Sequence, residues 1–376
     1  MRMKTEQTLS LVIPCYNEEN TLPRIVDSVL SLSAQIGVEI VIVDDCSSDD
    51  SLNVAHKLQS THPEVKVIAH KKNLGKGAAL RTGFLAATGK YVGIQDADME
   101  YNPNDYLKML KPIDDGSADI VLGSRYLRKP ERICLKWWHS TMNRFLTICS
   151  NAFTDLDLTD METCYKLFRR DIIQEISASL KENRFGFEPE VVSAIARGMR
   201  FKGWKVGEVA IEYRPRTFTE GKKIGWKDGL RAIYCIFHYN APTLPVIMQL
   251  GIYFFIGLAA AIVNMAVFEM LYSNHLVSFF ISVTSAFVVA AIVNYLLCVA
   301  ILFRHKSRWG TTGEIASYLV TITTMLFLDY GVTAGLMALS ISSLWAKAWS
   351  NVIGFFGNYL MRRFFVFGMI EKKGMN

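Results

Sequence analysis

Apolar positions along the chain fall into two regimes. As far as Tyr213 they come in short runs, parted by longer stretches in which they recur at helical spacing. The runs Leu9–Ile13, Glu39–Val43, Val65–Ala69, Val92–Ile94, Ile120–Leu122 and Val209–Tyr213 predict buried strands, because a continuous apolar run suits a strand covered on both faces. Pro14 is expected to stop the first. Helices are predicted from Thr21 to Leu32, around Val54 and Leu58 behind the N-cap candidates Ser47, Ser48, Asp49 and Asp50, and from Ala78 to Ala87. Strands alternating with helices predict a mostly parallel sheet with helices on both faces.

From Val246 onward the pattern changes. The segments Val246–Leu271, Val277–Phe303, Ile315–Leu339 and Leu344–Phe367 each reach the roughly 20 apolar residues that span a bilayer. Arg304, Lys306 and Arg308 lie between the second and third, and Arg362, Arg363, Lys372 and Lys373 near the C-terminus. The loops around Ser273–His275 and Ser340–Ser343 carry no Lys or Arg. That asymmetry predicts four spans with the first domain, the middle loop and the C-terminus on the cytoplasmic side. Asn264, Glu269, Asp329 and Asn358 fall within the spans; polar groups at that depth serve function or bond between helices.

Ligands in open parallel sheets bind beyond the carboxyl ends of the strands. Three strand ends here carry polar clusters: Asn17 and Glu18, Asp44 and Asp45, and Asp96 and Asp98 in YVGIQDADME. Carboxylates as close as Asp96 and Asp98 repel unless a cation or proton relieves them. A hard divalent cation, Mg²⁺ or Mn²⁺, takes oxygen ligands and leaves positions for a substrate phosphate. Turn chemistry alone would also place Asp here. The loop HKKNLGKG, with Lys76, precedes a helix and could cradle a phosphate, although it lacks the GxxxxGK[ST] spacing.

Farther along, the stripe Leu135 to Ile148, with Trp137, Trp138, Met142 and Phe145, reads either as a membrane-facing helix or as one packed on the sheet. Glu188 and Glu190 read as first-turn helix acids. The loop from Arg214 to Lys223 is dense in cations, which suits a diphosphate or a lipid phosphate at Arg216, Lys222 and Lys223. Trp226 to Tyr239 is amphipathic and expected in the membrane interface.

Composition bounds these readings. A chain of 376 residues predicts two or three domains. The net charge of +6 is modest and its Lys and Arg gather near the apolar segments, which fits an anionic membrane surface and not nucleic acid. The seven Cys form no CxxC pair, which argues against zinc and disulfides and for a reduced, cytosol-facing domain. The N-terminal apolar run is too short for a signal peptide.

The motifs VIPCYNEE, IVDDCSSDDS, NLGKGAALRTGF, QDADME and GSRY occur in that order between Val12 and Tyr126, within a resemblance that covers about residues 8 to 240. Together they resemble family 2 glycosyltransferases, most closely the dolichyl- or polyprenyl-phosphate sugar synthases. NYLLCVAILF and NVIGFFGNYLMRRFFVF resemble the GtrA-like four-helix membrane family. The resemblance implies an α/β nucleotide-diphosphosugar transferase (GT-A) fold over 1–220, an amphipathic segment over 221–245 and an all-α transmembrane domain over 246–376. It implies a nucleotide site at Pro14, Tyr16, Asn17, Glu18, Val43, Asp44, Asp45, Lys76, Asp96, Ala97 and Asp98, with Asp96 and Asp98 as the DxD pair and Glu100 as a third metal ligand. DMETCYK stands where many members read closer to SGFR.

The expected reaction is inverting transfer of a sugar from a GDP-mannose or UDP-glucose type donor to a polyprenyl or dolichyl phosphate. The lipid phosphate is already ionised, so the step needs charge compensation, from Arg125, Arg216, Lys222 and Lys223, and no base. The appended membrane domain would handle lipid or join copies of the chain. Two rivals remain. A hydroxyl acceptor or polysaccharide synthase would need a base, Asp160 or Glu162. A lipid-linked sugar flippase or binding protein would not need the intact Asp96 and Asp98.

Overall fold

The computed structural model describes residues 9–127, 137–215, 226–241, 244, 246–272, 279–303, 311–341 and 343–366. The chain divides into two compact units, Met1–Tyr239 and Asn240–Asn376. The first contains β1 (Leu9–Cys15), α1 (Leu22–Leu30), β2 (Val38–Asp44), α2 (Ser51–Thr61), β3 (Val65–Ala69), α3 (Lys76–Ala86), β4 (Tyr91–Ile94), α4 (Asp105–Asp114), β5 (Ile120–Ser124), α5 (Trp137–Thr154), β6 (Lys166–Arg169), α6 (Arg170–Ser179), α7 (Phe187–Lys202), β7 (Val206–Ala210) and α8 (Trp226–Asn240). One seven-stranded sheet runs β3-β2-β1-β4-β6-β5-β7. The strands pair in parallel except β6, which is antiparallel to both neighbours. This is the expected GT-A architecture.

Strand periodicity divides the core between the two faces. Leu9, Leu11, Ile13, Ile40 and Ile42 share a cluster with Ile25, Val26 and Val29 of α1 and Tyr106 of α4. Val12, Val41 and Val43 face the opposite cluster, with Leu80 and Phe84 of α3 and Val191 and Ile195 of α7. Each fully buried aliphatic or Phe side chain contributes about 1.5–3 kcal/mol. Gly93 in β4 has a packing reason. A Cβ there would lie 2.6 Å from the Tyr106 ring and 2.8 Å from Leu11.

Several boundaries differ from the sequence reading. β1 continues through Pro14 to Cys15, with Pro14 opposite Val43. Pairing with β4 ends at Val12 and Ile94, so the N–H that proline lacks removes no ladder bond on that side. β7 spans Val206–Ala210, earlier than the predicted Val209–Tyr213, because its register is set by Ile120 opposite Val206. Tyr213 reaches only an isolated bridge to Tyr101. β6, α4 and α6 were not anticipated. In α8, Ala232, Cys235, Ile236 and Tyr239 are buried, and Ala232 and Ile236 join the α3/α7 core cluster, so that face covers the first unit's own core. In α5, Met142, Phe145 and Ile148 are exposed while Leu146 is buried. Leu135 and Lys136 lie outside the described residues, as do the side chains of Trp137 and Trp138.

The second unit is helical: α9 (Val246–Tyr272), α10 (Phe279–Leu297) with a π-helical turn at Cys298–Phe303, α11 (Thr311–Ala338), and α12 (Ser343–Met361) with a π-helical turn at Arg362–Val366. α9 packs on α10, and α11 on α12. Phe254, Phe255, Ile262, Met265 and Phe327 are exposed, so apolar side chains cover much of the outer surface. The segment Ile247–Leu271 is long and apolar enough to cross a membrane, with 25 residues and a mean hydropathy of 2.1. Asn358 donates to its own helix at Gly354 O, 3.1 Å away.

Candidate active site

The register of β1 against β2 and β4 brings three of the polar clusters to one edge of the sheet. Each strand end turns through a left-handed non-glycine residue: Asn17 (φ 55°) after β1, Cys46 (φ 61°) after β2 and Met99 (φ 61°) after β4. Such conformations cost energy and collect where a loop must hold one shape. The first two loops are zipped together. Asn17 Oδ1 accepts from the Ser48 amide at 2.8 Å, Ser47 Oγ accepts from the Asn17 amide at 3.1 Å, and Ser51 Oγ accepts from the Glu18 amide at 2.8 Å. Glu18 Oε2 accepts from Thr21 Oγ1 at 2.7 Å. Tyr16 stands at this edge 38% exposed. Val43 and Ala97 are buried in the core, so only their backbone can meet a ligand.

The two aspartates of β2 differ. Asp45 accepts from the amides of Leu74 at 2.9 Å and Gly75 at 2.6 Å, and pairs with His70 Nδ1 at 2.7 Å. It therefore ties down the loop before α3. Asp44 is 1% exposed; its Oδ2 accepts from the Ser47 amide, and its Oδ1 is buried with no hydrogen-bond partner. A buried acceptor without a donor needs a reason, and a ligand hydroxyl or base N–H is one.

The glycines of NLGKG serve packing. Gly75 adopts φ +97°, and a Cβ on Gly77 would lie 2.3 Å from Glu182 O. The Gly77 amide donates to Asn183 O at 2.8 Å. The Leu74, Gly75 and Gly77 amides are thus occupied internally, and the group of this loop that reaches the acidic cluster is the side chain of Lys76. That ammonium sits 2.9 Å from Asp96 Oδ1, 3.5 Å from Glu188 Oε1 and 3.0 Å from Cys164 Sγ. Burial alone would favour the neutral amine, but the Asp96 carboxylate, with Cys164 and Glu188, holds Lys76 well above the usual lysine range. Burial likewise opposes the charge on Asp96, and Lys76 overcomes it, so the Asp96 pKa is lowered.

Asp98 Oδ1 accepts from the Glu100 amide at 3.1 Å, and Glu100 Oε2 accepts from the Tyr213 hydroxyl at 2.9 Å. Beneath the acidic loop, Tyr101 stacks on Tyr165 with centroids 4.7 Å apart, and the Tyr165 hydroxyl donates to Gln95 at 2.6 Å. Arg125, just past β5, is forked onto Asp160: Nε to Oδ2 at 2.7 Å and Nη2 to Oδ1 at 2.8 Å. Its guanidinium also lies over the Tyr213 ring, 5.1 Å from the centroid. Glu162 is raised to about 8 by burial and the nearby charge of Glu188, and its Oε1 is buried without a partner. Lys166 is fully buried, donates to Thr163 O, and is lowered by burial. Arg216, Lys222 and Lys223 lie outside the described residues.

His70, Cys164 and Lys166 were not singled out in the sequence, and Glu188 was read only as a helix-start acid. Glu188 does lie in the first turn of α7, but it is buried against Lys76. Among the described residues no three His, Cys, Asp or Glu side chains converge as a metal cage. The carboxylates of Asp96 and Asp98 nevertheless suit a hard cation that completes its shell with substrate oxygens and water, and Asp96 already lies against one positive charge.

Residues 10–177 match the family described as Glycosyl transferase family 2, and residues 252–367 match GtrA/DPMS, transmembrane domain. The chain is 30% identical over 240 residues to the dolichyl-phosphate beta-glucosyltransferase of Drosophila melanogaster, covering 57% of this chain and 69% of that protein. It is 25% identical over 359 residues to the dolichol-phosphate mannosyltransferase of Pyrococcus furiosus, covering 94% and 98%. A dolichyl-phosphate beta-glucosyltransferase of Trichomonas vaginalis is 29% identical over 220 residues, covering 54% of this chain and 65% of that protein, just under two thirds of its length.

Proposed function

The chain belongs to glycosyl transferase family 2, and from that premise we propose that it moves a hexose from a nucleotide-diphosphosugar to the phosphate of a dolichyl or polyprenyl carrier. The observation that carries this reading is the Arg125–Asp160 fork. A hydroxyl acceptor needs a base, and Asp160 has both oxygens on one guanidinium. Glu162 is raised to about 8 by burial and its oxygen Oε1 is buried without a partner, so its carboxylate is the minor form at pH 7. A phosphate acceptor is ionised already and needs neither. The names of the relatives support the same acceptor class.

In this reading the nucleoside lies at the ends of β1 and β2. Tyr16 offers a ring face, and Asp44 Oδ1 is the acceptor for a base N–H or ribose hydroxyl. Asn17, Glu18 and Asp45 hold the loops that shape that end. Asp96 and Asp98 would hold a divalent cation, which supplies charge neutralisation for the leaving diphosphate when bound. Lys76 contributes a second positive charge at the same carboxylate. Arg125 is held by Asp160 through Nε and Nη2, and its Nη1 makes no hydrogen bond among the described residues, so one edge of the fork can meet a phosphate oxygen. Arg216, Lys222 and Lys223 would add to the acceptor-phosphate site. The four helices of the second unit would each cross the bilayer, with the first unit on the cytoplasmic side, as the Lys/Arg bias indicates.

The test is transfer by the whole chain in detergent from radiolabelled GDP-mannose and UDP-glucose, with polyprenyl phosphate and polyprenol as parallel acceptors. Product from polyprenyl phosphate alone, alkali-stable or not, supports the reading. Equal or greater product from polyprenol would replace it with hydroxyl transfer.

A further inference from the structure

Arg362 follows the last residue of α12 and opens the π-helical turn. It is 7% exposed. Its Nη1 donates to Asn294 Oδ1 and, at 3.3 Å, to Cys298 Sγ of α10; its Nη2 donates to the Tyr318 hydroxyl of α11 at 3.2 Å. The rings of Tyr253 and Tyr318 flank the guanidinium, with centroids 5.5 Å and 5.0 Å from its carbon. Its Nε–H is buried and has no hydrogen-bond partner. Arg363, next in the chain, donates through Nη1 to Gln249 Oε1 and, at 2.6 Å, to the Tyr359 hydroxyl.

Asn294, Cys298, Tyr253 and Tyr318 carry no charge at neutral pH, and no carboxylate pairs with Arg362 among the described residues. Four helices therefore converge at one end of the bundle on two adjacent cations without a counter-charge among the described residues. A buried cation is costly unless it is paired and its donors are satisfied. The unsatisfied Nε–H lies on the edge that guanidinium shares with Nη2, the side-on edge that grips two oxygens of a phosphate. The unit's outer surface is apolar, as Phe254, Phe255 and Ile262 show. In a bilayer, the anions that reach the end of such a bundle are lipid head groups.

We propose that Arg362, with Arg363 beside it, binds the phosphate of a membrane lipid in a site built from the second unit alone. Side-on capture at Arg362 satisfies Nε and supplies the missing negative charge. The shared chemistry is a lipid phosphate, either that of a polyprenyl carrier or that of an anionic phospholipid.

The test uses the whole chain in an uncharged maltoside detergent and a photoreactive lipid monophosphate whose diazirine sits beside the phosphate. Digestion and mass spectrometry locate the crosslinks. The expected crosslinks fall on peptides containing Asn294 or Tyr318. Arg362→Gln lowers them by about ten- to a hundred-fold, the loss expected for a charge-assisted contact, while nucleotide-sugar binding by the first unit is unchanged. Excess polyprenyl monophosphate competing alone assigns the site to the carrier; phosphatidic acid competing as well assigns it to lipid phosphates at large. Equal labelling of these peptides by the same probe with a hydroxyl in place of phosphate overturns the proposal. So does undiminished labelling of Arg362→Gln, or competition by inorganic phosphate at the concentration at which the lipids compete. If Arg362→Gln fails to fold, the phosphate-against-hydroxyl contrast in the wild-type chain decides.

Discussion

Lys76→Met tests the electrostatics of the candidate site directly. The substitution keeps the apolar stem and removes the ammonium that lies 2.9 Å from Asp96 and 3.5 Å from Glu188. At that distance and an effective dielectric of ~20, the attraction to Asp96 is about 6 kcal/mol before desolvation is subtracted. Deleting one partner of a buried pair costs about 3–5 kcal/mol, because the remaining charge is left uncompensated. The Asp96 pKa is lowered in the wild type, so its contribution to stability is present above the unfolded carboxylate range and is lost as pH falls. In Lys76→Met the largest force holding the Asp96 pKa down is gone, and burial pushes it upward. The difference between the two proteins should therefore be largest at neutral to alkaline pH and should shrink as pH falls through the lowered pKa of Asp96. Native-state hydrogen exchange of the whole chain, followed on peptides covering 91–100, measures the local opening free energy. Transfer kinetics run alongside should show kcat/KM lower by about ten- to a hundred-fold if the same ammonium compensates donor diphosphate charge. Equal opening free energies at pH 7.5, with unchanged kinetics, would refute the reasoning.

Three further outcomes are expected. Glu162→Gln should stabilise the first unit at pH 7, by no more than about 3 kcal/mol: folding holds the proton that the unfolded chain releases, so Glu162 weakens the fold as pH rises from 4.5 toward about 8, and the variant's opening free energies should lack that slope. Asp98→Ala should abolish transfer with hydrogen exchange outside residues 91–100 unchanged, and wild-type activity should require Mg²⁺ or Mn²⁺; full activity in EDTA would contradict both. Cysteine introduced at Lys306 should be labelled only from the cytoplasmic side and at Asn274 only from the other, and outside labelling at Lys306 would invert the topology.

How much of this was legible in the sequence follows from how local each feature is. The strand ends were readable because an apolar run followed by Asp44–Asp45 or Asp96–Asp98 states both the strand and its polar terminus within ten residues. The commitments of those residues were not, because they are made across the crossovers. Lys76 meets Cys164 at a separation of 88 positions, and Arg125 meets Asp160 at 35. No spacing rule connects them; the reversed strand β6 does, by delivering Cys164 and Lys166 into a sheet whose other strands all run the opposite way. β6 itself was missed because four residues are too few to show alternation, and its KLFR adjoins a motif already read as chemistry. The same logic explains the α8 outcome. Amphipathicity showed that Trp226 to Tyr239 has an apolar face, but the pattern of a helix covering a core and of one lying in a membrane interface is identical along the chain. Ala232 and Ile236 show where the buried face goes, since both join the core cluster of the first unit, while Leu230 of the same helix is exposed. In the second unit the limit is of another kind. Hydropathy shows the helices and hides their polar contacts, so Arg362 and Arg363 counted only as topology signals, whereas convergence with Asn294, Tyr318 and Gln249 makes them a cationic centre. A charge placed to fix orientation belongs in water at a helix end; a charge at 7% exposure with an unsatisfied Nε–H is held there against its solvation, and its hydrogen bonds to Asn294, Cys298 and Tyr318 offset only part of that cost, which is the ground for the anion site proposed above.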